Sequence, residues 1–467
     1  MAVDQRRRIT KLPNDPLFGG ADVNPETTVG SLQARTIDQW YLKKPSATPG
    51  QVVSSINAPA AWDTTTGTAT TIVAVLDTGV RMDHPDLAGQ FVPGYDMIGF
   101  GSPGATSTAV ANDGGGADAD PSDPGDWVSQ ADINAGTISG CTSDDISNSS
   151  WHGTRVSGLI AALSNNGTGM AGVGWNLKIM PVRVLGKCGG YDSDIMAGMK
   201  WAAGIAVPGL PANANKAKVL NMSLGGGGSC STLYRDTITA VNAAGATIVV
   251  AAGNSEGEAV GSPGNCPGVV TVAALRHVGT KVGFSSLGPE VTIAAPGGNC
   301  INTGVGEACL YPMISTTNAG TTMPVANDGS YTGSSPSVGT SFSTPIVSGI
   351  VGLMASVRPG LTAAEATQIL KSTARAFPTT GSGSSPNPPM CTAPTSTAQD
   401  ECYCTNDGKT CGAGMVDAAA AVAATVALNG TAVAITQNPA SGLTAGQTLT
   451  LTAAVTGLPA GRTVAST

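Results

Sequence analysis

The sequence predicts an α/β fold: a doubly wound, mostly parallel sheet with helices on both faces, followed by a short β-type C-terminal extension. Three observations carry this. Short runs rich in Val, Ile and Ala, flanked by glycine, recur from about Ile56 to Leu370, as strands buried on both faces do. Between them lie segments with apolar residues at helical spacing. The 467 residues exceed one minimal core and allow one large domain with appendages.

From Lys11 to Ala47 the chain is rich in Pro, Asn, Gly and Asp, so residues 1–50 are expected to form an extended N-terminal arm. The main domain is expected over 51–425. Its strands are placed at 71–76, 179–185, 219–223, 247–252 and 269–273, and helices at 193–207 and 232–244. His152 is expected to open a helix, because Val156, Leu159, Ile160 and Leu163 follow at helical spacing. A further helix is expected around Ser341, running to about Ser356, with Pro345 within its first turn. After Phe377 the composition turns to Thr, Gly, Ser and Pro. From about Ala432 it alternates as a strand does, and 426–467 are expected to be the start of a truncated β-sandwich-like module.

Only 12% of residues are charged and 63 are glycine, which implies a neutral, loop-rich surface. The net charge of −8 argues against a nucleic-acid partner, which calls for a basic face. Ten cysteines favour disulfides and an oxidising compartment. A zinc site is disfavoured, since there are three histidines and Cys402-Tyr403-Cys404 has the wrong spacing. Cys188 and Cys230 fall in Gly-rich loops after strands expected to be adjacent, so a bridge between them is expected. Cys266–Cys300 is the second expected pair, with Cys300–Cys309 as its rival; Cys141 and the four tail cysteines stay unassigned. Met1 to Thr10 is polar, with Arg6, Arg7 and Arg8, and shows no secretory leader; the expectation is that one has been removed. No run of eighteen apolar residues occurs, so no membrane span is expected.

Asp77 ends an apolar run and precedes Thr78-Gly79, which puts it at the carboxyl end of a buried strand, where open α/β sheets build their sites. A turn-forming Asp is the plainer alternative. Among the histidines, His84 lies in the turn Asp83-His84-Pro85-Asp86 and His277 in a loop, leaving His152 as the one projecting from a helix start. Ser341 follows Gly339, which permits close backbone approach, and the dipole and free amides of its helix can stabilise an oxyanion. A Gly/Ser-rich loop capped by Thr340 or Ser341 is the plainer reading of this segment alone.

These segments, Val75-Leu76-Asp77-Thr78-Gly79, His152-Gly153-Thr154, Ala251-Ala252-Gly253-Asn254 and Gly339-Thr340-Ser341-Phe342-Ser343-Thr344-Pro345, resemble in order the catalytic segments of the subtilases, the subtilisin-like serine proteases. The resemblance spans about Asn57 to Asp417, where Gly412-Ala413-Gly414-Met415-Val416-Asp417 and an Ala-rich run resemble the family's final catalytic-domain helix. It implies that Ser341 attacks the scissile carbonyl, His152 relays the proton, Asp77 holds the imidazole and Asn254 donates to the oxyanion. Asn221-Met222-Ser223-Leu224-Gly225-Gly226 resembles the segment that pairs with the peptide as an added strand. Ser223, Leu224, Gly225, Gly226, Ala252 and Gly253 are therefore the expected substrate-binding residues, and glycines 225 to 228 leave room for a large apolar P1 side chain. The glycines serving closure of a disulfide at Cys230 is the alternative reading.

The segment Pro13-Asn14-Asp15-Pro16-Leu17-Phe18, with Gln39-Trp40-Tyr41-Leu42, resembles the start of the mature domain in secreted bacterial subtilases. That implies a secreted, extracellular, monomeric endopeptidase made as a zymogen, whose partners are protein and peptide substrates and its own N-terminal propeptide. Two positions depart from the pattern: Arg155 stands where a second His is usual, and Ile346 replaces a frequent His after Pro345. A lipase would place Ser in G-x-S-x-G, which 339–343 does not fit; a sedolisin would need Glu at His152; a pseudoenzyme or adhesion module would lack a triad member.

Calcium is the expected cofactor. Asp113, Asp118, Asp120, Asp123 and Asp126 supply oxygens in a bendable loop and resemble an acidic insert of some secreted subtilases, although the spacing is no EF-hand and a merely solvated acidic loop is the alternative. A second candidate site joins Asp86 to Asn165, as in subtilisins.

Overall fold

Seven parallel strands form the sheet: β1 (Ile72–Asp77), β2 (Tyr95–Asp96), β3 (Lys178–Arg183), β4 (Val219–Met222), β5 (Thr247–Ala251), β6 (Val270–Leu275) and β7 (Val291–Pro296), in the order β2-β3-β1-β4-β5-β6-β7. The computed structural model describes residues 11–19, 38–101, 104–299, 311–332, 337–384 and 386–428, and the backbone of 432–438 and 450–456. All five expected strands are present within a residue or two. β2, two residues long, and the edge strand β7, which ends at Pro296, complete the sheet.

Side chains alternate across β1. Val73 and Val75 join one core with the helices His152–Ala161 and Thr340–Val357; Ile72, Ala74 and Leu76 join another with the helices Asp192–Ala202 and Thr232–Ala243. That is the doubly wound arrangement. Thr340–Val357 is long and apolar enough to cross a membrane by length and composition alone, yet 83% of it is buried inside the fold. It is the central core helix.

The N-terminal arm differs from the extended segment expected. Leu17, Phe18, Trp40, Tyr41 and Leu42 are buried in the first core, and Trp40 and Tyr41 donate to the carbonyls of Pro312 and Ile314 at 2.9 and 2.6 Å. Bulky aromatics at these positions override the loop-like composition around them. At the other end, β8 (Ala432–Asn438) and β9 (Thr450–Thr456) pair antiparallel as a separate two-stranded sheet.

The disulfides correct the expected pairing. Cys188 bonds Cys141 and Cys230 bonds Cys266, with Cα atoms 5.6 and 5.1 Å apart. β1 lies between β3 and β4, so the strands leading to Cys188 and Cys230 are not adjacent. Cys266 is thereby unavailable to Cys300, and the rival Cys300–Cys309 lies outside the described residues. In the tail, Cys391 pairs with Cys402 and Cys404 with Cys411.

Candidate active site

Asp77 ends β1, fully buried, and accepts from the Thr78 amide at 2.8 Å. His152 is the first residue of its helix; its Nδ1 lies 2.8 and 3.0 Å from the two Asp77 carboxylate oxygens. This contact explains the residues around it. Gly153 carries no Cβ because one would sit 2.1 Å from the Gly79 carbonyl oxygen. Its amide donates to Thr78 Oγ1 at 3.1 Å, and Thr154 Oγ1 accepts from the Arg81 amide at 2.9 Å. The His-Gly-Thr string is thus a docking surface that fixes the helix start against the strand end.

Burial disfavours protonated His152, but the charge and hydrogen bond of Asp77, with a further contribution from Asp126, outweigh it and raise its pKa above the ordinary value. A raised pKa stabilises the imidazolium that forms when the ring takes a proton.

Ser341 is the second residue of the helix Thr340–Val357, after N-cap Gly339. Its hydroxyl donates to the Ser223 carbonyl oxygen at 3.1 Å. Asn254 follows β5, and its Oδ1 accepts from both the amide and the hydroxyl of Thr340, each at 3.0 Å. With Oδ1 so occupied, Nδ2 is the group left to donate into the cleft. Thr340, which the sequence offers only as a helix cap, instead orients Asn254, one position before Ser341 in the Gly-Thr-Ser string.

Pro345 was expected in the first turn but falls in the second, since the helix begins at Thr340. Arg155 points to Thr317 Oγ1 and Ser337 Oγ at 3.2 and 3.3 Å, and Ile346 is buried in the core. His84 caps the turn Pro85–Leu87 by accepting from the Asp86 amide, as a turn residue would.

A cleft of about 860 Å³ is lined by Ser341, Asn254, Ser223, Leu224, Gly225, Gly226, Ala252 and Gly253, which gathers every expected substrate-binding residue beside the Ser. Gly226, however, already donates its amide to the Ser262 carbonyl at 2.8 Å. A second cavity of about 490 Å³ shares Ser223 to Gly226 and extends past His152 to Leu185, Ile195 and Tyr234.

The acidic insert is dispersed. Asp113 and buried Asp96 pair with the buried Arg183 guanidinium at 2.7 and 2.6 Å. Asp118 and Asp120 make exposed turn bonds to the amides of Asp120 and Ser122. Asp123 is buried on Thr78 Oγ1 and the Gly125 amide, and burial, reinforced by Asp126, pushes its pKa up to about 7. Asp126 accepts from the amide and hydroxyl of Ser150. Among the described residues, no three of these carboxylates bring oxygens within 4.8 Å of one another.

The second candidate is more compact. Asp86 accepts from Asn166 Nδ2 and the Met170 amide, while Asp15 accepts from the Asn165 and Asn166 amides. Both carboxylates are buried and burial raises both pKa values; among the described residues neither has an ion-pair partner. Two buried anions on one carbonyl-bearing loop fit a hard divalent cation. Asp15 escaped the sequence reading, although Pro13-Asn14-Asp15-Pro16 marked the segment.

Comparison with known proteins agrees with this geometry. The model of the "Subtilase family" matches residues 68–414. The chain is 39% identical over 425 residues to an "Extracellular protease" of Xanthomonas campestris pv. campestris, covering 90% of this chain and 61% of that protein. It is 40% identical over 330 residues to an "Extracellular basic protease" of Dichelobacter nodosus, covering 69% of this chain and 49% of that one. Among solved structures, a protease from Pseudoalteromonas arctica matches with TM-score 0.69 and 41% identity, over 88% of this chain and 99% of that one. The chain belongs to the subtilase family. It spans about half to three fifths of the length of these two curated relatives.

Proposed function

We propose that the protein is a secreted serine endopeptidase. What supports this is the His152–Asp77 hydrogen bond at the carboxyl end of β1, together with two cavities that share Ser223 to Gly226, one lined by Ser341 and Asn254 and the other by His152. Ser341 Oγ attacks the scissile carbonyl carbon as its proton passes to His152 Nε2. Asp77 holds Nδ1–H and stabilises the imidazolium. The Asn254 amide and the Ser341 backbone N–H donate to the oxyanion; His152 then protonates the leaving amine, and water releases the acyl group by the reverse sequence. The Ser341 hydroxyl must leave the Ser223 carbonyl to do so, as the looser hydrogen bonds of free enzymes commonly allow.

The substrate backbone lies along 223–225 as an added strand. Leu224, Ala251, Ala252 and Val260 line the cleft with small glycines, which supports a large apolar P1 residue; exposed Glu258 and Glu290 border it too, so specificity is broad. Calcium would be held by Asp86, Asn165 and Asp15, where it would neutralise buried charge; in the 113–126 insert Asp113 instead pairs with Arg183, Asp118 and Asp120 accept from turn amides, and Asp123 and Asp126 accept from Thr78, Gly125 and Ser150. Four described disulfides and relatives named as extracellular support secretion, and the same reading takes the enzyme as a monomer released from its propeptide. Residues 1–50, 51–425 and 426–467 are taken as arm, catalytic domain and the start of a β-module. Ser341→Ala is expected to abolish both casein hydrolysis and labelling by a fluorophosphonate. Hydrolysis persisting in that variant would rule out the assignment.

A further inference from the structure

Proline in the second turn of a helix leaves the carbonyl four residues earlier without its N–H partner. For Pro345 that carbonyl belongs to Ser341 itself. It is not left bare: Ser223 Oγ donates to it at 2.7 Å. Asn221 Nδ2 donates to Ser223 Oγ at 3.0 Å, and Ser348 Oγ donates to Asn221 Oδ1 at 2.8 Å. Asn221 and Ser348 are fully buried and Ser223 nearly so.

The chain of donors has one direction. Ser348 lies seven residues after Ser341, on the same face of the helix. From there the relay crosses to β4, where Asn221 is in register with Val75 and Val249, and returns through Ser223 to the helix start. The Asn amide is fixed at both ends, and the Ser223 hydroxyl has one proton, which goes to Ser341. A polar side chain in the middle strand of a parallel sheet is costly unless satisfied. Here its satisfaction is spent on the residue that carries the nucleophile.

We propose that Asn221 and Ser348 are positioning residues which, through Ser223 Oγ and the carbonyl that Pro345 frees, fix the backbone from which Ser341 Oγ projects. This rests on the protease reading and adds to it a second attachment of the Ser341 helix to the sheet, separate from that at Thr340 and Asn254. Neither Asn221 nor Ser348 touches substrate in this arrangement.

The test compares Ser223→Ala, Ser223→Thr, Asn221→Asp and Ser348→Ala with the parent chain. The readouts are kcat and KM on a peptide amide, the rate of fluorophosphonate labelling, and a melting curve for each. Asn221→Asp keeps the acceptor for Ser348 but turns a carboxylate oxygen to Ser223, drawing its proton away from Ser341. Ser223→Ala and Asn221→Asp are expected to lower kcat and the labelling rate by about tenfold or more, with KM within about twofold. Ser223→Thr, which retains the hydroxyl, is expected to restore most of the rate. In the Ser223→Ala background, Asn221→Asp should cost little more, because the link it acts through is gone. Folded Ser223→Ala or Asn221→Asp variants with parental kcat and labelling, or full additivity of the two losses, would overturn the relay. If Asn221→Asp does not fold, the Ala and Thr variants at Ser223 decide the matter. Failure of the parent chain itself to label would instead overturn the protease reading.

Discussion

His152 is one of three histidines, and its neighbours set its pH behaviour. In the proposed mechanism it must be neutral to accept the Ser341 proton, so activity is expected above its pKa and lost as pH falls through it. Since Asp77 and then Asp126 raise that pKa against the effect of burial, the acid limb of kcat/KM is expected above the ordinary histidine value. Asp126→Asn removes one of the two charges and should move the limb to lower pH; a pH profile of kcat/KM that does not move would exclude Asp126 from the electrostatics of the ring. Asn254 provides the second test at this scale. Its Oδ1 is held by Thr340, so Asn254→Ala removes a donor that is already oriented and should lower kcat by about 10²–10³-fold, a magnitude borrowed from the corresponding subtilisin amide. Steady-state kinetics with an unchanged kcat would leave the oxyanion to other donors.

Elements place these residues, and Gly153 shows how tightly. Gly153→Ala would drive a methyl into the Gly79 carbonyl oxygen and push the His152 helix off the end of β1. Overpacking of this kind costs about 1–3 kcal/mol. The variant should melt at lower temperature and lose kcat through the stretched His152–Asp77 contact; thermal melts and kinetics equal to the parent would deny that this packing sets the site. The strings carrying Asp77, His152 and Ser341 were legible because strand ends and helix starts leave local signals: an apolar run, a glycine, then helical spacing. The pairing of Cys188 and Cys230 misled because sequence does not display that β1 inserts between β3 and β4. Thr340 and Asn221 were invisible in their roles for a related reason. A Thr beside a Gly or an Asn in a strand has no local mark; Asn221 meets Ser348 across 127 residues of sequence, and only the folded sheet brings them together. The aromatics of the arm misled in the opposite way, since the Pro, Asn and Gly between them outvoted Trp40 and Tyr41 in a reading by composition.

At the scale of the molecule, the arm and the catalytic sheet meet at an unneutralised point. Asp15 brings a buried carboxylate from the arm to the loop at 165–170, where Asp86 contributes another from the far side, and burial raises both pKa values. Two such anions favour folding only if protonated or paired. A cation bound there therefore ties the arm, with Trp40, Tyr41 and Leu42, to the core, and its removal should loosen the whole N-terminal edge. The measurement is best made on Ser341→Ala, in which self-digestion cannot distort the melt. EDTA is expected to lower the melting temperature of that variant, and added calcium to restore it. Asp86→Asn should melt lower from the outset and respond less to the chelator, whereas Asp120→Asn, on an exposed turn of the acidic insert, should respond as fully as its parent. Superimposable melts with and without EDTA would mean that the two carboxylates are held without a metal, by protonation, the amide donors of Asn165, Asn166 and Met170, and the Tyr331 hydroxyl.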